Sequence, residues 1–235
     1  MHMTIAAFDF FSDLNLIPGE PFNIADKPTS LFCIVAGNIS SDPSKIKETL
    51  QHLSRIYKGV FFIDGPAEHG DLRDYDKNIN VLNKIIKGYD NVAFLHSNVV
   101  VVDSIALVAS NGWYGNYTLE DPMEQELATH YRMYDTQYLR NSIQKLQKHV
   151  DVKQIVMITS SIPNAELGFH TKDNLPDLIG PSICLNIDTE SKVKTWLYGG
   201  YEYGADVTRF GIRYINNPYR RDQPWWPQRV EIPIN

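Results

Sequence analysis

Residues 64–74 gather Asp64, Glu68, His69, Asp71 and Asp74 directly behind an apolar run. Carboxylates beside an imidazole are donors from which a metal site can be built. The same charges would also suit a solvated loop that caps the next helix, with Asp71 and Asp74 set against the positive end of its dipole. Asp13 follows another apolar run and is either a metal ligand or a turn and capping residue, while Asp9 just upstream reads as a polar residue near a strand end. Ser160 and Ser161 also sit behind a strand-like run, but no base lies near them in sequence. Neither a Gly-x-Ser-x-Gly elbow nor a glycine-rich phosphate loop occurs. The other histidines, His52, His96, His130, His149 and His170, lack ligand spacing and read as ordinary surface or core residues.

These groups need a frame, and the apolar runs supply one. Residues 4–10, 31–37, 59–65, 91–96, 154–160, 182–188, 194–200 and 210–216 are short, continuously apolar and β-branched, the pattern of strands covered on both faces. Residues 99–110 hold two such runs meeting at Asp103-Ser104, which predicts a hairpin. Helical spacing marks residues 43–57, with Asp42 as N-cap and Pro43 in the first turn, and also residues 74–87 and 124–150. Strands alternating with helices predict an α/β layered fold. In such folds ligands sit beyond the carboxyl ends of the strands. The loops there are residues 12–16, 36–40, 64–70, 110–115, 159–164 and 198–206.

In order and in attachment to strand ends, these loops resemble the calcineurin-like metallophosphoesterase superfamily, over nearly the whole chain. That family carries Asp-x-His, Gly-Asp, Gly-Asn-His-Glu, a Thr-His-x-x-Pro-like histidine and Gly-His-x-His, and uses two metal ions to activate water against a phosphoester. The resemblance implies a four-layer αββα sandwich. It also maps the substitutions. Asp13 is kept and Asn15 replaces a histidine; Gly37 is kept and Asn38 replaces the bridging aspartate. Gly65 and Glu68 match, with Pro66 and Ala67 in place of the metal-binding asparagine and the histidine that assists the leaving group. Thr159 and Pro163 match around Ser160, and Gly199 is kept ahead of Gly200 and Glu202, both at histidine positions. Of the ligand positions only Asp13 is unchanged, and Glu202 is the one replacement with a full charge. Two divalent ions a few ångströms apart need anionic ligands to offset their repulsion. The resemblance therefore implies a vestigial site holding no metal and doing no catalysis. The alternative is a phosphodiesterase or phosphatase rebuilt on Asp13, Asn15, Asn38 and Glu202, with His69 as a further candidate, an oxygen-rich set suited to Mg²⁺ or Ca²⁺ rather than Zn²⁺ and, in an active enzyme, to Mn²⁺ or Mg²⁺.

Composition sets the remaining bounds. With 235 residues, 43% hydrophobic and 21% charged, the chain is expected to fold as one domain, 1–235. A net charge of −6 argues against general nucleic-acid binding. No apolar run reaches the length of a membrane span, and Cys33 and Cys184 read as buried hydrophobes rather than a disulfide. The triplets Asn38-Ile39-Ser40 and Asn116-Tyr117-Thr118 fit the glycosylation pattern, but no secretory signature accompanies them. Residues 217–235 differ from the rest, placing Arg220, Arg221, Trp225, Trp226 and Arg229 among prolines, the residue types enriched at protein interfaces. The expectation is a binding or structural module with a protein partner or self-association. It would be cytoplasmic, or virion-associated in a phage or viral setting.

Overall fold

Apolar runs become strands in the computed structural model, which describes residues 4–21, 27–113, 121–163, 167, 187, 191–221 and 227–234. The order is β1 (Thr4–Ser12), β2 (Phe32–Ala36), α1 (Pro43–Ile56), β3 (Gly59–Ile63), α2 (Pro66–His69), a 3-10 turn (Leu72–Asp74), α3 (Tyr75–Ile86), β4 (Val92–Phe94), β5 (Asn98–Val102), β6 (Ile105–Ser110), α4 (Pro122–Gln147), β7 (Gln154–Thr159), β8 (Val193–Tyr198), β9 (Ala205–Arg209), β10 (Ile212–Asn216) and β11 (Gln228–Ile234).

The strands form a sheet of order β11-β1-β2-β3-β4 and another of order β5-β6-β7-β8-β10-β9. Neighbours are parallel except at three edges, where β11, β5 and β9 run antiparallel to β1, β6 and β10. Alternate residues of each strand face opposite ways and divide the core into layers. Phe8, Phe10, Ile34 and Ile63 meet Leu107, Ile158, Leu197 and Ile215 between the sheets. On the outer face of the first sheet, Cys33, Val35 and Phe62 pack against Ile46, Leu50 and Leu53 of α1 and Leu82 and Ile86 of α3. On the outer face of the second, Val108, Met157 and Trp196 pack against Leu139 and Leu146 of α4. The result is helix, sheet, sheet, helix, the expected four layers.

Local chemistry explains most boundaries. Asp42 accepts a hydrogen bond from the Ser44 amide (3.0 Å) with Pro43 in the first turn, and Asp121 does the same for Met123 (2.9 Å) ahead of Pro122. Asp103 and Ser104 both have positive φ, +48° and +68°, as a two-residue hairpin turn requires. Two strands escaped the sequence pattern. β9 lies in what reads as a loop, and β11 in the Arg/Trp/Pro-rich segment, where Val230 and Ile232 face inward between polar residues. The expected strand at 182–188 lies, apart from Ile187, outside the described residues. No helix among the described residues is long and apolar enough to cross a membrane.

Candidate functional site

The carboxyl ends of β1, β2, β3, β6, β7 and β8 bring their loops together, and the loop backbones keep demanding shapes. Asp13, Asn15 and Asn38 all lie in the left-handed region, with φ of +50°, +43° and +56°. Aspartate and asparagine tolerate that conformation better than other non-glycine residues, but it still costs energy. Of the three glycines that match the family pattern, Gly37, Gly65 and Gly199, only Gly37 has a left-handed φ, +72°. Gly199 is needed for space instead, since a Cβ there would lie 2.6 Å from the Ala36 carbonyl and 3.2 Å from Asp13 Oδ1.

Asp13 is buried, and its Oδ1 accepts hydrogen bonds from Asn38 Nδ2 (2.8 Å) and the Gly200 amide (2.8 Å). Its Oδ2 is buried with no hydrogen-bond partner among the described residues. Both polar atoms of Asn38 have a partner, because its Oδ1 accepts from the Ala67 amide at 3.0 Å. That amide fixes the orientation of the side chain, since only the oxygen of Asn38 can face a donor. Its NH₂ must therefore face Asp13. Pro66 opens α2, the turn that presents Ala67. Glu68 accepts from the backbone amides of Gly65 (2.7 Å), Asn38 (3.0 Å), Ile39 and Ser40 (3.3 Å), tying the β2 and β3 loops together.

Two residues are not brought to this cluster as expected. Asn15 is exposed, and its amide spans back to the Asp13 carbonyl (3.3 Å) rather than to the carboxylate. Glu202 is exposed and hydrogen-bonds the hydroxyl of Tyr203, while Asp13 is surrounded by Asn38, Gly200, Tyr201 and Ser12. The rebuilt oxygen site thus lacks its second carboxylate. Asp9 serves structure, buried and bonded to the Thr29 amide (2.7 Å) and the Tyr57 hydroxyl (2.8 Å).

The 64–74 loop corrects the solvated-loop expectation in part. Asp71 caps the 3-10 turn rather than α3, accepting from the Arg73 amide (2.9 Å), Asp74 at the head of α3 makes no side-chain capping bond, and Asp64, Glu68 and His69 are buried. Asp64 joins His69 Nε2 (2.6 Å), His96 Nδ1 (3.1 Å) and Asn111 Nδ2 (3.3 Å), and Asn111 Oδ1 accepts from Ser160 Oγ (2.8 Å). Burial would raise the Asp64 pKa, but hydrogen bonds from His69 and His96 prevail and hold it well below the usual carboxylate range. For His96 burial pulls downward, yet its bond to Asp64 leaves the pKa raised. Sequence reasoning passed over His96, Asn111 and Asp135, the last a buried α4 residue accepting from the Gly112 amide at 2.8 Å. They come from separate elements that only the sheet order unites, so no local spacing could signal them.

The donor set does not fit a pair of divalent ions. Asp13 keeps one oxygen without a hydrogen bond, Asn38 offers only a neutral oxygen already bonded to the Ala67 amide, Ser160 Oγ donates to Asn111, and Gly200 has no side chain. Among the described residues no three His, Cys, Asp or Glu side chains are arranged to hold a metal ion.

Burial pushes the Asp13 pKa up to about 6, against the hydrogen bonds from Asn38 and Gly200. The folded protein therefore holds this proton more tightly than the unfolded chain. The contribution to stability is complete below the unfolded carboxyl pKa, roughly 4, and is lost as pH rises through about 6. Asp13→Asn removes the titration, so its stability relative to the parent should rise by on the order of 2 kcal/mol between about pH 4 and pH 7. Paired urea unfolding curves measure it; a pH-independent difference would show that Asp13 does not titrate there.

In the C-terminal segment, Arg221 is tied to Glu20 (3.0 Å) and the Asn15 carbonyl, and Arg229 to Glu231 (2.9 Å) and the Thr29 carbonyl. Both are thus engaged within the chain, which leaves Arg220 exposed, while Trp225 and Trp226 lie outside the described residues.

No family model matches the chain. No curated protein matches it in sequence. Solved structures do match. The phosphopantetheinyl hydrolase of Mycobacterium tuberculosis aligns at a TM-score of 0.63 and 14% identity, over 96% of this chain and 95% of its own. Another solved chain aligns at 0.62 and 10% identity, over 92% and 91%. A candidate 5′-nucleotidase from Staphylococcus aureus aligns at 0.54 and 10% identity, with this chain covered over 92% and spanning 49% of that one. At such identities the likeness shows the fold alone, and that fold is the α/β sandwich of the metallophosphoesterase type.

Proposed function

We propose that the chain is a phosphoesterase-like scaffold without phosphoesterase chemistry, retained for a binding or structural role. The observation that carries this reading is the Asn38 NH₂ group 2.8 Å from Asp13 Oδ1. A metal centre would put a cation beside that carboxylate. Here a neutral donor sits there, locked in orientation by the Ala67 amide, and it offers no charge to offset two divalent ions. The loops are also closed by their own bonds, through Glu68 on one side and Asp64, Asn111 and Ser160 on the other.

The test is calorimetric titration of the metal-stripped protein with Mn²⁺, run beside hydrolysis of bis(p-nitrophenyl) phosphate. The expected outcome is no binding at millimolar metal and no hydrolysis. Binding near about two ions per chain, with hydrolysis, would return the active phosphoesterase to the front. A single bound ion, abolished by Asp13→Ala, would instead favour a rebuilt site on the free Asp13 Oδ2.

A further inference from the structure

The two sheets present four edges, and they are guarded unequally. Exposed strand edges invite pairing, and natural sheets blunt them with charge, proline, bulges or brevity. β11 carries Arg229, Glu231 and Pro233. β9 carries Asp206 and Arg209, with Asp206 held by Arg213 at 2.6 and 2.8 Å. β4 spans only Val92–Phe94. β5, Asn98–Val102, has none of these devices: it reads Asn-Val-Val-Val-Val, pairs with β6 in an unbroken register, and leaves Val101 53% exposed. Among the described residues nothing pairs with its outer side.

The polarity of that outer side can be read off. The Val99 amide donates to Asn98 Oδ1 at 2.7 Å, a local bond made away from β6. In an antiparallel pair the inward and outward groups alternate, so Val101 points its amide and carbonyl the same way as Val99. Val99 packs with the layer covered by α4, while Val100 and Val102 pack between the sheets.

We infer that β5 is the contact edge of a two-fold dimer, in which it pairs antiparallel with β5 of a second copy about Val100. This register sets Val99 opposite Val101 of the second copy, and the reverse. Each such pair exchanges two amide-to-carbonyl hydrogen bonds, and the local Val99–Asn98 bond gives way to one of them. It also lays the exposed Val101 side chain against Val99 of the other copy. Val100 faces its own equivalent across the axis, and Asn98 faces Val102. A second copy suits this edge because the segment is self-complementary and sets no charge against a like charge. β11 paired about its own centre would place Glu231 against Glu231, a repulsive arrangement.

The register makes the test specific. Residues facing each other at a non-hydrogen-bonded position have Cα atoms about 4.5 Å apart, within disulfide range. In a Cys184→Ser background, Val100→Cys should therefore give a covalent dimer on mild oxidation, whereas the same background without it, left with the fully buried Cys33, should not. Val101→Pro removes only an outward amide, which an edge tolerates. It should run as a monomer in sedimentation with an unchanged circular dichroism spectrum, while the parent runs at twice the chain mass. Val101→Lys should weaken association at least tenfold and gives the same readout should the proline variant misfold. A parent that stays monomeric across the concentration series would overturn the inference. So would a dimer that survives in the folded Val101 variants, or crosslinking no greater than that of Thr208→Cys on β9. Assembly only with a different protein strand would also count against a second copy.

Discussion

Glu68→Ala is expected to destabilise the protein by about 4 kcal/mol, among the largest effects of any single substitution here. One buried carboxylate accepts from the amides of Gly65, Asn38, Ile39 and Ser40, and alanine would strand all of them. An unsatisfied buried donor costs roughly 1–3 kcal/mol, and burial pushes the Glu68 pKa up to about 8 against the lowering effect of these same amides. Relaxation and water entry will recover part of that sum. Glu68→Gln keeps one acceptor oxygen and should fall between parent and alanine. Urea denaturation monitored by tryptophan fluorescence measures both. A loss below about 1 kcal/mol for alanine would mean that solvent already competes for these amides.

Gly37→Ala should cost about 3 kcal/mol, from two sources that can be separated. The left-handed φ of +72° penalises any Cβ by roughly 1–2 kcal/mol. The added methyl would also lie 2.5 Å from Ser160 Cβ, and overpacking of that kind costs a further 1–3 kcal/mol or so. Combining it with Ser160→Gly should relieve the shortest contact and leave the conformational part and the 3.1 Å approaches to the Asp64 carbonyl and Gly65 Cα, giving a favourable coupling in a double-mutant cycle. Strict additivity of the two substitutions would mean that the β2 and β7 loops do not touch.

Most of the frame was legible because it follows local rules. Asp42 with Pro43 announces α1, the spacing of Ile46, Leu50 and Leu53 gives its buried face, and Asp103-Ser104 announces the hairpin. β9 and β11 were not legible, because their polar residues and Pro233 are permitted only by an edge position that the sequence does not display. At the site, the loop order placed Asp13, Asn38, Gly65, Glu68, Ser160 and Gly200 in one neighbourhood. It misplaced Glu202, which one further turn carries to the surface. The Asp64 network was invisible for a different reason. Its histidine at 96 and asparagine at 111 are ordinary in their own segments and gain meaning only when β3 and β6, in different sheets, are stacked.

The pairing of β1 with β11 has a consequence for the order in which the chain can acquire its structure. Thr4 lies beside Ile234 and Phe10 beside Gln228, so one neighbour of β1 is synthesised only after nearly everything else described here. Until then β1, with Phe8 and Phe10 on its inner side, is half-dressed: β2 can join it early, but its other flank stays open. Contacts so distant along the chain close slowly, since a long loop must be gathered before they yield any return. The nascent sandwich thus carries a sticky flank until residues 228–234 have been made, an interval in which that flank is open to aggregation.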